Sequence, residues 1–250
     1  MTTSVVDLQQ VEPGVVQLTL QDRTHKNAFS PALMAGLRES FAQIKADARQ
    51  KVLILTGYDS YFCSGGTQEA LLSLHAGAAT FADSGLYGLP IDCDIPVIAA
   101  MQGHGIGGGL VFGLAADAVI LSRESLYAAN FMRYGFTPGM GATYLLPHRL
   151  GPALAAEMLL SARGYRGAEL EQRGVPFSVV RRDEVLERAR LLARDMAEKP
   201  RAALVTLKRH LVAGTRAQLP GIIAQELAMH AATIHEPEVD ARIRTQFGRG

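Results

Sequence analysis

Two glycine-rich stretches hold the residues best suited to chemistry. One is Cys63-Ser64-Gly65-Gly66. The other runs from Ile95 to Asp117, IPVIAAMQGHGIGGGLVFGLAAD, where an apolar strand (Ile95 to Met101) enters a loop of five glycines and then an apolar helix, Leu110 to Ala116. Glycine lets the backbone approach a ligand closely, because no Cβ intervenes. A helix start also presents unpaired N–H groups. If the loops Cys63-Ser64-Gly65-Gly66 and Gly107-Gly108-Gly109 each aim one backbone N–H at a common point, the pair suits a carbonyl oxygen that gains negative charge in a transition state.

Other readings of these loops carry less. Gly103-x-Gly105-x-x-Gly108 has dinucleotide-fingerprint spacing, but no acidic residue sits about 20 positions on in a βαβ pattern. No Gly-Lys-Ser/Thr follows, so this is no P-loop. Ser64 could be a nucleophile, yet it lies in no G-x-S-x-G elbow and no His or Asp is placed by sequence to complete a triad. The glycines could also serve only close helix–strand packing. Farther along, His230 lies in an apolar stripe with Ile223, Leu227 and Ile234. It is either a proton donor or a satisfied imidazole at a core or subunit interface.

The elements that must position these groups read as an α/β chain. Ser4 to Val11 and Val15 to Asp22 are expected as strands joined at Pro13-Gly14. Ser30-Pro31 caps a helix reaching about Asp47, with Leu33, Leu37, Phe41 and Ile44 at helical spacing. Val52 to Thr56 is a buried strand, and residues 67–94 are mixed, with short helices. Ala118 to Leu121 and Leu126 to Ala128 follow as short strands. The loop YGFTPGMGATY leads into helical segments through Ser161. Beyond about Arg181 the chain reads as helices: Asp183 to Glu198, Pro200 to Ala213, Gln218 to His235 and Pro237 to Phe247. Residues 1–181 therefore form a strand–helix core and 182–250 a helical region.

Composition narrows the partners. The 250 residues are 48% apolar and carry a net charge of +1, which gives no reason to expect nucleic acid. Cys63 and Cys93 cannot form a disulfide framework or a metal site by spacing. The N-terminus has neither a basic start nor an apolar h-region, and no apolar run is long enough to span a bilayer, so a cytoplasmic protein is expected.

The chain resembles the crotonase (enoyl-CoA hydratase/isomerase) superfamily over nearly its whole length. The resemblance rests on HKNAF at 25–29, YFCSGG at 61–66, the IPVIAAMQGHGIGGG block, the Asp117 region and GFTPGMGATYLL at 135–146. It implies a spiral of ββα units with a helical C-terminal region that builds trimers, sometimes paired into hexamers. It also implies that the Ser64 and Gly108 amides form an oxyanion hole for an acyl thioester. Lys26 and Ala28 would line the pantetheine channel, and Gly65 and Gly66 would lie against the substrate.

Where the chain departs from that family, the chemistry changes. Hydratases of the superfamily use two glutamates, and the matching positions here are Val111 and Phe131. Residues 110–116 and 125–141 hold no carboxylate, and adding water across a double bond needs an acid or base in reach. Loss of CO2 needs no base, because the electrons come from the breaking C–C bond, and a dry pocket favours the delocalised enolate over the carboxylate. Val111 and Phe131 would be pocket walls. Within the superfamily the chain is most similar to decarboxylases of polyketide β-branching, which implies a 3-methylglutaconyl thioester on the phosphopantetheine of an acyl carrier protein, a 3-methylcrotonyl-type product, and His230 as proton donor. No metal or redox cofactor is expected.

Relatives of that group hold a lysine near the substrate carboxylate. Thr80 stands at that place, and no lysine occurs from 52 to 198. His75, Tyr87, His104 and Asn130 are further polar candidates, with His104 expected to support the glycine loop. A carrier should meet a basic patch, and Arg and Lys residues are spread through 181–216. The alternatives are hydration, isomerisation or thioester hydrolysis on an acyl-CoA, or a carrier-binding scaffold without catalysis.

Overall fold

A computed structural model describes residues 4–248. Among these residues ten strands divide between two sheets. The larger sheet has the order β1 (Val6–Glu12), β2 (Val15–Leu20), β3 (Val52–Thr56), β5 (Val97–Met101), β7 (Ala118–Ser122) and β10 (Ser178–Val180). After the antiparallel β1–β2 hairpin, all its pairs are parallel. The smaller sheet has the order β4 (Tyr61–Cys63), β6 (His104–Ile106), β8 (Leu126–Ala128) and β9 (Gly164–Arg166), and only its last pair is antiparallel.

The chain alternates between the sheets. β3 leads to β4, β5 to β6 and β7 to β8, and each such pair is followed by helical chain, which is one turn of a ββα spiral. Strands β3 and β5 are buried at every position, as a parallel sheet covered on both faces requires. Helix α1 (Pro31–Ala46) covers one face with Leu33, Leu37, Phe41 and Ile44, and it starts where Ser30 Oγ accepts the Leu33 amide at 3.1 Å.

Short helices α2 (Gln68–His75) and α3 (Leu89–Asp92) span the mixed segment. Helix α4 (Gly108–Leu114) follows β6. Helices α5 (Ala142–Leu150), α6 (Pro152–Ser161) and α7 (Gly167–Gln172) come next, then α8 (Val185–Ala197), α9 (Arg201–Leu211), α10 (Ala213–Ala231) and α11 (Pro237–Gln246). Among the described residues every element after β10 is a helix, but this region is no separate body. Val185, Ala189 and Ala193 of α8 pack on Val52, Ile54, Ile98, Ala100 and Ile120 of the larger sheet. Lys208 of α9, 3% exposed, reaches the carbonyls of Pro90 and Ile95 and pairs with Asp117 at 2.8 Å.

Asp117 is therefore spent on structure. It also accepts the Val97 amide at 2.7 Å. Both cysteines are buried free thiols. Among the described residues no helix is long and apolar enough to cross a membrane.

Candidate active site

The loop before α1 is built around Asn27, whose side chain is fully buried. Its Nδ2 donates to the carbonyls of Leu20 (3.0 Å) and Phe62 (3.1 Å), and its Oδ1 accepts the Asp22 amide at 2.8 Å. These bonds tie the end of β2 to the end of β4. Phe29 then donates to the Gly65 carbonyl at 2.7 Å, with Ala28 bridged to Gly65. The second glycine loop closes on the first. A Cβ on Gly109 would fall 2.2 Å from the Cys63 carbonyl oxygen, a distance no side chain tolerates, and a Cβ on Gly65 would lie 3.3 Å from the Gly108 amide nitrogen. Glycine is thus required for the two loops to touch.

One expectation fails here. The Ser64 amide donates to the Asn27 carbonyl at 3.3 Å, and Ser64 Oγ donates to the Lys26 carbonyl at 2.6 Å. Both donors are committed to the loop, so Ser64 supplies neither an oxyanion amide nor an activated nucleophile. The amides of Gly66 and Gly108 have no acceptor among the described residues. Helix α4 starts at Gly108, two residues earlier than its apolar run suggests, because Gly107 at φ 54° turns the chain into it.

Two cavities meet at these amides. The first, of about 570 Å³, is lined among others by His25, Lys26, Ala28, Ser64, Gly65, His104, Asn130 and Arg133. The second, of about 340 Å³, is largely apolar, with Phe29, Met34, Leu74, Phe81, Leu86 and Met140 in its walls. Gly66, Gly108, Leu71, Phe131 and Phe136 line both. Phe131 lines both cavities. Val111 is no pocket wall: it is fully buried in the main core and lines neither cavity.

His230 faces the second cavity from the last turn of α10, 7% exposed, between Phe81 and Phe136 at ring separations of 5.5 and 5.3 Å. Burial, and to a lesser degree the charge of His235, push its pKa down to about 4. Neither ring nitrogen has a hydrogen-bond partner among the described residues, so the imidazole is neutral at pH 7 and open to a ligand.

The helix that carries it is pinned on either side. Glu226, one turn earlier, accepts bonds from the Gly141 amide (2.6 Å) and from the Thr143 amide and hydroxyl (2.8 and 2.6 Å). Thr233 Oγ1, just after α10, accepts the Thr137 amide at 3.1 Å. Sequence reading missed Glu226 and Thr233. The only hint was the four-residue spacing of Glu226 and His230, which puts them on one face of a helix.

The remaining candidates divide. Thr80 lines the second cavity, and its amide donates to Asp83 at 2.7 Å, a bond that holds the Asp83 pKa below its ordinary value. Among the described residues, Asp83 is the one carboxylate that lines this cavity. His104 lines the first cavity and accepts the Leu126 amide at 2.9 Å, which supports the glycine loop. His75 is turned to the Ile234 carbonyl at 2.6 Å, and Tyr87 lines neither cavity. The basic residues of 181–216 also lie outside both.

The enoyl-CoA hydratase/isomerase family matches over residues 10–247. This chain belongs to the crotonase family. Within the family it is 60% identical to the bacillaene synthase decarboxylase PksI of Bacillus subtilis, over 99% of this chain and 100% of the other. A solved structure from work on a dehydratase/decarboxylase couple of polyketide β-branching matches with a TM-score of 0.97 at 60% identity, covering 98% of this chain and 100% of that one. The ECH2 decarboxylase domain of CurF from Lyngbya majuscula matches with a TM-score of 0.94 at 45% identity, again over 98% and 100%. The carnitinyl-CoA dehydratase of Proteus mirabilis is more distant, 33% identical over 78% of this chain and 76% of its own. The crotonase spiral is therefore this chain's fold, and the chain is a decarboxylase of polyketide β-branching.

Proposed function

We propose that this decarboxylase removes CO2 from a 3-methylglutaconyl thioester carried on the phosphopantetheine of an acyl carrier protein. The observation that carries the reading is the second cavity. It is an apolar chamber with a neutral histidine, its one carboxylate already bonded by Thr80, and two amides at its entrance. Hydration needs a carboxylate free to move protons, and this chamber offers none.

The thioester oxygen sits between the Gly66 and Gly108 amides, the pantetheine arm in the first cavity past Lys26 and Ala28, and the acyl chain in the second against Phe131. His25, Lys26 and Arg133 on the first cavity give an acidic carrier a basic approach. The substrate carboxylate enters beside neutral His230, favours its protonated form, and a proton is taken from solvent. As the C–C bond breaks, its electrons pass through the double bond to the thioester oxygen, where the two amides stabilise the dienolate. His230 then returns its proton to carbon. In sum, one carboxylate and one proton become CO2 and a C–H bond. No metal or redox group takes part, and the enzyme acts in the cytoplasm as a homotrimer.

The test is mass spectrometry of 3-methylglutaconyl-carrier incubated with the purified protein. The expected product has lost CO2. A gain or loss of water identifies hydratase chemistry on this fold, and an unchanged acyl group identifies a scaffold.

A further inference from the structure

The second cavity holds one feature that no motif of the chain places there. Arg38, on the exposed side of α1, lines the chamber one turn beyond Met34, which lines it too. Among the described residues it is the only lysine or arginine in the chamber wall. One of its terminal nitrogens donates to the Ser84 carbonyl at 2.6 Å, and it forms no ion pair among the described residues. That single bond ties the side chain to the turn 81–84, whose Phe81 and Ser84 also line the chamber, and leaves the other guanidinium N–H groups unspent.

We propose that Arg38 holds the carboxylate that the substrate is about to lose. The proposal rests on the decarboxylase reading of this chamber. A carboxylate carried into apolar surroundings without a cation or hydrogen bonds is strongly disfavoured. Apart from His230, the other polar groups offer little: the Thr80 amide serves Asp83, Ser84 Oγ donates to the Phe81 carbonyl at 3.0 Å, and Asp83 itself repels an anion. A guanidinium fork matches a carboxylate in two parallel bonds. Because Arg38 stands at the exposed edge, its attraction is tempered by water, so it seats the carboxylate without holding it against bond cleavage. The product has no carboxylate and loses this grip, which favours its release.

The probes are glutaryl-pantetheine, which carries the carboxylate but lacks the double bond needed to lose CO2, and pentanoyl-pantetheine, its uncharged counterpart. Binding of both is measured to the wild type and to Arg38→Gln, Arg38→Lys and His230→Gln. A charged hydrogen bond corresponds to roughly a 10- to 100-fold preference of the wild type for glutaryl-pantetheine. Arg38→Gln should abolish the preference without changing pentanoyl affinity, and Arg38→Lys should keep part of it. If Arg38→Gln retains the preference while His230→Gln loses it, the imidazole holds the carboxylate and the proposal fails, with the decarboxylase reading intact. If Arg38→Gln weakens both ligands equally, Arg38 only braces the 81–84 turn, and the proposal fails again. If the wild type itself shows no preference, the chamber does not receive a carboxylate, and both readings fall.

Discussion

At the scale of single residues, His230 is the most exacting part of the site. Its ring sits between two aromatic edges with no partner for either nitrogen, so its protonation follows whatever enters the chamber. A general acid contributes about 10²- to 10⁴-fold, and His230→Ala should lower the decarboxylation rate within that range. Retained turnover in a rapid-quench assay would remove His230 as proton donor. The same ring makes stability depend on pH. Its folded pKa of about 4 lies below its ordinary 6.5, so the unfolded chain takes up the proton first on acidification. This contribution is complete above pH 6.5 and is lost as pH falls from 6.5 through 4, amounting to roughly 3 kcal/mol. Denaturant titrations across that window should show His230→Phe losing less stability than the wild type.

At the scale of elements, the site depends on two glycine loops pressed together and on α10 pinned either side of its histidine. Glu226→Ala would leave the buried Gly141 amide and the Thr143 amide without an acceptor, at a cost of about 3 kcal/mol, visible as a lower urea midpoint. The sequence showed the long elements well. The alternation in β2, the capped apolar stripe of α1 and the unbroken apolar run of β3 each carry a periodicity that burial on one or both faces enforces. It showed the smaller sheet poorly. Strands β4 and β6 have three residues each and lie inside glycine loops, too short for any period to emerge. Residue type singled out Gly108, Phe131 and His230, and the fold brings all three to the cavity walls. The site was misread where a backbone bond decides the matter. Whether Ser64 or Gly66 offers a free amide depends on where the Asn27 carbonyl points, and no residue type encodes that. Val111 lies beside the glycines in sequence, but its place on α4 turns it into the core. Arg38 was invisible because its helix and its cavity belong to segments distant in sequence.

At the scale of the whole molecule, the surface carries apolar groups that one chain does not cover. Leu207 and Leu211, one turn apart on α9, are 57% and 69% exposed. In the proposed trimer, contact between copies draws on the helical region that presents them. Sedimentation velocity should give three times the monomer mass, and Leu207→Glu/Leu211→Glu should shift it toward the monomer; a monomeric wild type would end the trimer proposal. The seating of α8 has a further consequence, for how the protein is made. Ile54, Ile98 and Ile120 leave the ribosome well before Val185, Ala189 and Ala193, the side chains that roof them. Through that interval a half-built sheet shows water a bare aliphatic face, the kind of surface to which chaperones bind and on which nascent chains clump. A chain stopped at Val180 should pellet or be held by a chaperone, while one extended through Ala197 should be released in soluble form. Synthesis of this enzyme therefore has a vulnerable stretch that closes only when its eighth helix emerges.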